Sequence, residues 1–350
     1  VHPDLVVDEG RSAAWPGEPA PDVSVVVPTC NRAGFLGDLV AALERQRMAP
    51  ERFEVLIVDD ASSDGTWEEL TAYLGGTSLR MRALRHGANT GQGTARTTGL
   101  CAARGAVVAF TDDDCIPTPP WLERLTAPLL AAGDGSRAPV VVQGRTVPWP
   151  DDEASAGAWS RTVWVLGPTW LFETCNVAYR RDDLVRVGGF PARGDAPVGP
   201  HGRLVGEDAL VGWQVLDGGA QLQFVPEALV HHRHLPARYL DWLAEQRGRG
   251  VFPALVARSP HGRRALWHRW FLARRTAAFD LALVTAAAAA VSGRARWLVG
   301  CVPWVLVALP EAADRRGRHP ALRLGQLALG DAVGFASLVA GSVRHRCLVL

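Results

Sequence analysis

The sequence predicts an α/β protein, a doubly wound and mostly parallel sheet followed by a C-terminal helical, apolar appendage. Short runs of strand-forming residues, Val23–Val27, Glu54–Val58 and Ala106–Phe110, each stop at a polar turn, as strands buried in a parallel sheet do. Segments of helical period lie between them, giving a β-α-β-α rhythm. Near the C-terminus, Ala277–Val291, Trp297–Leu309 and Ala321–Val343 are apolar stretches of another kind.

Residues 1–21 are polar and rich in Pro and Gly (Trp15-Pro16-Gly17-Glu18-Pro19), which predicts a flexible leader. Val23–Val27 is the first strand, ended by Pro28-Thr29. Asn31 is placed to cap a helix carrying Leu36, Leu39, Val40 and Leu43 at i, i+3, i+4 and i+7. Glu54–Val58 is the second strand and runs into Asp59-Asp60. Ser62-Ser63-Asp64-Gly65 makes a turn, Thr66–Leu74 a short helix, and Leu79–Arg85 alternates as a third strand. Thr90–Ala103 reads as a helix entered through Asn89 and glycines, and it leads into Ala106–Phe110. Trp121–Leu130 is a further helix, and strands are expected at Val140–Val147 and Phe172–Tyr179. Between those strands lie Trp149, Trp159, Trp164 and Trp170, which suit core packing better than sugar stacking. Gly206-Glu207-Asp208 opens a helix through Leu216, and Gln221–Val225 alternates in a run ending at His231-His232. Arg-rich helical material follows from Arg238 to about Arg275. The expected organisation is a leader (1–21), a main domain (22–250) and a helical region (251–350).

Composition narrows the function. The net charge is +1, so no strong global field draws the chain to nucleic acid. All 37 basic residues are Arg, which excludes a lysine Schiff base or a P-loop lysine. Cys30, Cys101, Cys115, Cys175, Cys301 and Cys347 show no CxxC or other metal spacing, so reduced thiols are expected. The chain begins with Val1 in place of Met, as a non-ATG start or a trimmed end would give. No basic-then-apolar leader marks a secretory signal.

Asp112-Asp113-Asp114 follow the strand Ala106–Phe110 directly. Open α/β sheets bind ligands just beyond the carboxyl ends of their strands. Three carboxylates there repel one another unless a cation sits among them. Hard divalent cations such as Mg²⁺ take oxygen ligands and share them with phosphates. The triplet therefore points to metal-assisted chemistry on a phosphorylated ligand, against the plainer reading of a solvated acidic loop.

The segments also form a series. Val23 to Arg32, Glu54 to Thr66, Asn89-Thr90-Gly91 with Ala95-Arg96, Asp112-Asp113-Asp114, Asn176 to Phe190 and Gly206-Glu207-Asp208 together resemble, in order, the motifs of a family 2 glycosyltransferase. The resemblance covers about residues 22–235. It implies a nucleotide-diphospho-sugar transferase fold of the glycosyltransferase A type and inversion at the anomeric carbon. It also implies a divalent cation, Mg²⁺ or Mn²⁺, as cofactor. The donor would be a UDP- or GDP-linked sugar, and the acceptor a hydroxyl of a glycan, lipid or small molecule.

The resemblance assigns the site residues as follows. Asp112 lies toward the ribose and Asp114 toward the metal, with Asp113 sharing either task. Asp59 and Asp60 hold the nucleobase and ribose, and Pro28, Thr29 and Arg32 line the same edge. Asn89 and Asn176 join the nucleotide-sugar site, and His232, beside His231, supports the metal. Asp208, with Glu207, is the base on the acceptor hydroxyl. At a helix N-terminus the macrodipole is expected to keep its pKa low. The plainer reading is that both acids merely favour that helix end. Gln246-Arg247-Gly248-Arg249-Gly250 is similar to the QxxRW block of processive synthases, but Gly250 stands where the Trp belongs. That favours transfer of one sugar or a few; the arginines either reach the diphosphate or form a solvated face.

The first two C-terminal apolar stretches fall short of the roughly 20 residues of a spanning helix, and Asp280 interrupts the first. Arg274-Arg275 and Arg315-Arg316 flank the pair. This pattern suits association with the cytoplasmic face of the plasma membrane, against a soluble appendage or a dimer interface. The rival readings are a catalytically degenerate sugar-nucleotide-binding protein at the membrane and a sugar-nucleotide pyrophosphorylase. The latter relies on a Lys-containing loop, and no Lys exists here.

Overall fold

The computed structural model describes residues 5–15, 18–131, 140–152, 156–192, 205–313 and 319–350. Pro16-Gly17 and the flanking pair Arg315-Arg316 lie outside them. The chain divides into two compact units: Val1–Ala154 with Thr162–Ala196 and Glu207–His234, and Ser155–Arg161 with Pro197–Gly206 and Leu235–Leu350. The main division thus falls after His234 rather than near residue 250.

The first unit holds a nine-stranded sheet. Its strands are β1 (Val6–Arg11), β2 (Val23–Thr29), β3 (Phe53–Asp59), β4 (Met81–His86), β5 (Val107–Phe110), β6 (Cys115–Pro117), β7 (Val140–Pro148), β8 (Val177–Arg180) and β9 (Gln221–His232). The order across the sheet is β1-β4-β3-β2-β5-β8-β7-β9-β6. β4, β3, β2 and β5 run parallel, and β2 and β3 are buried along their whole length. That burial explains why they read as continuous apolar runs rather than alternating ones. Helices α1 (Leu36–Glu44), α2 (Thr66–Gly76), α3 (Gln92–Ala102), α4 (Trp121–Leu130), α5 (Arg181–Arg186) and α6 (Glu207–Asp217) connect or cover the strands. One core runs from Val23 and Leu39 through Phe53 and Trp121 to Val142 and Val230.

Several expectations need correction. The leader is not loose throughout, because Val6–Arg11 adds an antiparallel edge strand to β4. Its charged residues fit an exposed edge, which is why they did not read as strand. Asn31 does not cap α1, whose N-cap is Phe35 without a side-chain bond. Asn31 instead adopts φ 54°, and its Oδ1 accepts from the Ser63 N–H at 2.8 Å, joining two strand-end loops. The strand expected at Phe172–Tyr179 starts only at Val177, since Phe172 takes φ 54°. Its ring fills the space beside Gly212, where an added Cβ would stand 2.2 Å away.

The second unit is helical: α7 (Tyr239–Glu245), α8 (Phe252–Val256), α9 (Pro260–Ala265), α10 (Arg274–Ser292), α11 (Val302–Ala312) and α12 (Pro320–His345). The stretches Arg274–Ser292, Ala295–Ala312 and Pro320–His345 are long and apolar enough to cross a membrane by length and composition. Helical residues beyond each apolar run lengthen them past the expectation. Val284, Val291 and Leu306 are exposed on them. Within this unit Asp331, 2% exposed, accepts from Arg249 Nη1 at 3.1 Å, Arg275 Nε at 2.8 Å and Trp304 Nε1 at 2.8 Å. Arg249 is therefore committed to a buried ion pair, while Arg247 is exposed. Gly250 explains the missing tryptophan: a Cβ there would meet the Ser337 carbonyl of α12 at 2.6 Å.

The tryptophans divide by environment. Trp170 stacks on buried Trp213, and Trp149 meets His231 edge-on. Trp159 packs with Tyr239 and Trp242 in the second unit. Trp164 is 57% exposed, outside the expected core.

Candidate functional site

The carboxyl ends of β2, β3 and β5, where open α/β sheets bind their ligands, carry most of the polar residues singled out by sequence. Pro28 and Thr29 end β2 and are buried. Arg32 follows in the loop, with its Nε 3.3 Å from Asp113 Oδ1 and its Nη2 3.6 Å from Asp114 Oδ2.

The two aspartates after β3 differ sharply. Asp60 is surrounded by donors: its Oδ1 accepts from Thr90 N–H and Thr90 Oγ1, both at 2.8 Å, and contacts His86 Nδ1 at 2.8 Å. Its Oδ2 accepts from the Gly91 N–H at 2.7 Å. Burial pushes this carboxyl upward, but the bonds from His86, Thr90 and Gly91 outweigh it and leave the pKa below the ordinary value. Asp60 therefore builds the turn into α3, where Gly91 takes φ 92°. It is not presented to a base or ribose as expected. Asp59 bonds Ser62 through Oδ1, while its Oδ2 lies buried without a hydrogen bond, 3.4 Å from Arg85 Nε. Burial raises its pKa. Asn89 is exposed at the same edge, donating to Cys30 Sγ at 3.2 Å. Beside these loops is an open groove of about 460 Å³ lined by Val7, Asp8, Ala61, Ser62, Arg85, His86 and Gly87. The acidic triplet is not part of its lining.

At the end of β5 the carboxylates are poorly compensated. Asp113, 7% exposed, is pushed up to about 7 by burial and by Asp114, against the opposing pull of Arg32. Burial also raises Asp114, partly offset by His232. Asp112 turns the other way, accepting from Arg96 Nη2 at 3.0 Å. The opposite side of the same guanidinium, Nη1, lies 3.3 Å from Glu207 Oε1. Arg96, 2% exposed, thus ties the acidic triplet to the start of α6. Gln92 Nε2 adds a second bond to Glu207 at 2.5 Å.

That arrangement separates Glu207 from Asp208. Glu207 is buried and bonded to Arg96 and Gln92, so it anchors α6. Asp208 is half-buried, bonded to the Ala209 N–H at 3.0 Å. Burial raises its pKa well above the ordinary value, with Glu207 and Glu173 adding to the effect and Arg96 opposing it. The sequence-based expectation of a lowered pKa fails here because neighbouring carboxylates and desolvation outweigh the helix end. The hydroxyl of Tyr179, within the field of Asp208, is buried without a partner.

Two other expected positions differ. Asn176 is 1% exposed and is spent on structure: its Oδ1 accepts from Trp121 Nε1 at 2.8 Å, and its Nδ2 donates to the Arg145 and Ala228 carbonyls at 2.9 Å. It does not reach the site. Among Asp112, Asp114 and His232, the structure joins only the last two. His232 Nε2 is 3.4 Å from Asp114 Oδ1, and Asp112 is held by Arg96 instead. Cys115, overlooked among cysteines with no metal spacing, belongs with Asp114 and His232; their ligand atoms all lie within 4.8 Å of one another. This set of oxygen, nitrogen and sulfur donors fits a divalent cation. Only the pairing of β6 with β9 reveals it.

Residues 24–186 match the family model described as glycosyl transferase family 2. The chain is 34% identical over 113 residues to glycosyltransferase AglE of Haloferax volcanii, covering 32% of this chain and 37% of that protein. It is 29% identical over 232 residues to the pre-mycofactocin glycosyltransferase of Mycobacterium tuberculosis, covering 64% of this chain and 45% of that one. The matches thus span less than half the length of these relatives. Among solved structures, it resembles the mannosyltransferase PcManGT from Pyrobaculum calidifontis in complex with GDP-Man and Mn²⁺, with a TM-score of 0.52, 21% identity and coverage of 94% of this chain and 88% of that one. S. aureus TarS 1-349 in complex with UDP-GlcNAc gives a TM-score of 0.51 at 16% identity, covering 93% and 92%. At such identities the likeness shows the fold, which is of the glycosyltransferase A type.

Proposed function

The chain carries a family 2 glycosyltransferase domain, and from that premise we propose that it is a metal-dependent, inverting glycosyltransferase working at the membrane surface. Its donor is a nucleotide-diphospho-sugar, UDP- or GDP-linked, and its acceptor a hydroxyl of a glycan, lipid or small molecule. The observation that carries this reading is the Asp112–Arg96–Glu207 chain of ion pairs, which joins the acidic triplet to the helix that begins Glu207-Asp208.

In this reading Asp114 and His232 hold a divalent cation, which when bound supplies positive charge for the departing nucleotide diphosphate. Arg32, beside Asp113 and Asp114, adds a fixed positive charge on the same side. Asp59, fully buried beside Arg85, and Asp60 shape this edge, from which the exposed Asn89 faces the nucleoside. Asp208 accepts the proton of the attacking hydroxyl, and its raised pKa makes it a better acceptor than an ordinary aspartate near neutral pH. Arg96 and Gln92 hold Glu207, and through it the first turn of α6, in register. The apolar exposed faces of α10 to α12 and the exposed Arg274 suit a membrane surface at the cytoplasmic side.

The test is nucleotide release from a panel of UDP-, GDP- and dTDP-sugars with Mn²⁺, Mg²⁺ or EDTA. Slow release from one donor, abolished by EDTA and by Asp114→Ala, is the expected result. A folded protein that binds no donor under any of these conditions would sink the reading and leave a degenerate scaffold.

A further inference from the structure

We propose that Cys115 is a third ligand in the cation site of Asp114 and His232, so that this chain binds Zn²⁺ there through a thiolate and more tightly than Mg²⁺. The inference rests on the reading of Asp114 and His232 as the cation-holding pair. Strand pairing puts the side chains together: β6 and β9 are antiparallel, and Cys115 stands directly opposite His232. Neighbours opposite one another in an antiparallel pair project from the same face of the sheet.

The three donors converge on one carboxylate oxygen. Asp114 Oδ1 is 3.4 Å from His232 Nε2 and 4.0 Å from Cys115 Sγ. Arg32 approaches the other oxygen, Oδ2, at 3.6 Å, leaving Oδ1 to the cation. His232 Nδ1 lies 2.8 Å from the Arg233 carbonyl. That oxygen can only accept, so Nδ1 carries the proton and Nε2 presents its lone pair to the site. Such a backbone bond is how metal-ligating histidines are commonly oriented. Asp114, Cys115 and His232 are 6%, 1% and 6% exposed, so no solvated side chain must be ordered to form the site.

The donor types decide the preference. Mg²⁺ takes oxygen almost alone, whereas Zn²⁺ accepts carboxylate, imidazole and thiolate together. Affinity in mixed N, O and S sites rises from Mn²⁺ toward Zn²⁺. On binding, the S–H bond of Cys115 breaks, a sulfur–metal bond forms and one proton passes to solvent. Asp114 and the thiolate then balance the 2+ charge. The ligand atoms need to draw in by roughly 1 Å from their widest separation to reach ordinary tetrahedral zinc distances, a shift that small rotamer changes supply.

The full chain, stripped of metal and kept reduced, is titrated with Co²⁺ as a spectroscopic probe. A thiolate-to-cobalt charge-transfer band is expected in the near ultraviolet. It should disappear in Cys115→Ser, persist in Cys30→Ser, and be displaced by Zn²⁺ but not by Mg²⁺. Cys115→Ser should weaken Zn²⁺ by roughly 10–100-fold and leave Mg²⁺ almost unchanged. Proton release from the unaltered protein guards against a variant that fails to fold: about one more proton per Zn²⁺ than per Mg²⁺ is expected, since the neighbouring carboxyls answer to either cation. No charge-transfer band, or a band unchanged in folded Cys115→Ser, overturns the proposal, as does Zn²⁺ binding that releases no more protons than Mg²⁺. Donor binding with Mn²⁺, measured by calorimetry, separates the two readings. Donor binding without the band removes Cys115 and keeps the transferase, whereas the band without donor binding keeps the cation site and removes the transferase.

Discussion

Asp60, just beyond β3, and the aspartates Asp113, beyond β5, and Asp208, at the start of α6, are carboxylates in opposite electrostatic states. Asp60 is bonded on both oxygens by His86, Thr90 and Gly91, and its pKa is lowered despite burial. Asp113 and Asp208 sit among other carboxylates, and their pKa values are raised, by burial first and then by Asp114 and Glu207 respectively. A carboxylate already satisfied by its own protein has a structural task. One left at a charge deficit marks where an incoming cation, proton or substrate hydroxyl gains most.

The largest test of this contrast is Asp208→Asn. Removing the proposed base is expected to lower the transfer rate by roughly 10²–10⁴-fold, with donor affinity retained. A variant with full transfer activity would erase the distinction between the two regions. Arg96→Met should come next, because it strands buried Glu207. Breaking such a pair costs about 3–5 kcal/mol, to be read as a lower denaturation midpoint, and an unchanged midpoint would deny Arg96 its linking role. Asp60→Ala is expected to destabilise the fold by on the order of 2–3 kcal/mol by orphaning the Thr90 and Gly91 N–H groups. Its donor affinity should change little in calorimetry; a large affinity loss with unchanged stability would return Asp60 to the nucleotide site.

Two further tests concern pH. A base must be ionised, so transfer falls as pH drops through the pKa of Asp208. Because that pKa is raised, the acid limb of the rate profile should lie well above the 3.8 of an unshifted aspartate. A limb at the ordinary carboxylate position would remove Asp208 as the base. Asp113 gives a stability counterpart. With a folded-state value of about 7 against 3.8, its contribution is fully present below about pH 4 and lost as pH rises toward 7. Melting temperatures of the metal-free protein should therefore fall over that window, and Asp113→Asn should flatten the fall.

How much of this was legible in the sequence depended on the range of the interaction. The parallel strands β2, β3 and β5 were visible because complete burial leaves an apolar run, and α1 from the i, i+3, i+4, i+7 spacing of Leu36, Leu39, Val40 and Leu43. The acidic triplet and Glu207-Asp208 were legible as motifs. Their states were not, since the bond between Arg96 and Glu207 joins residues 111 positions apart. Asp59 and Asp60 look alike in one dimension, and only the fold of the loop after β4 tells them apart. Cys115 remained hidden for the same reason: its partner His232 is placed by strand pairing, not by spacing. β1 was missed because edge strands lack the apolar signature of central ones.

The close seating of Gly250 against α12 limits what position 250 can hold. An indole at position 250 has no room while the Ser337 carbonyl stands 2.6 Å from where its first carbon would be, and Gly341 presses on the Gly250 carbonyl from the same helix. Placing a tryptophan at position 250 is thus not a one-step exchange. It would require α12 to be displaced first, and with it Asp331, the shared acceptor of Arg249, Arg275 and Trp304. At position 250 a whole helix, rather than a side chain, is the unit of change.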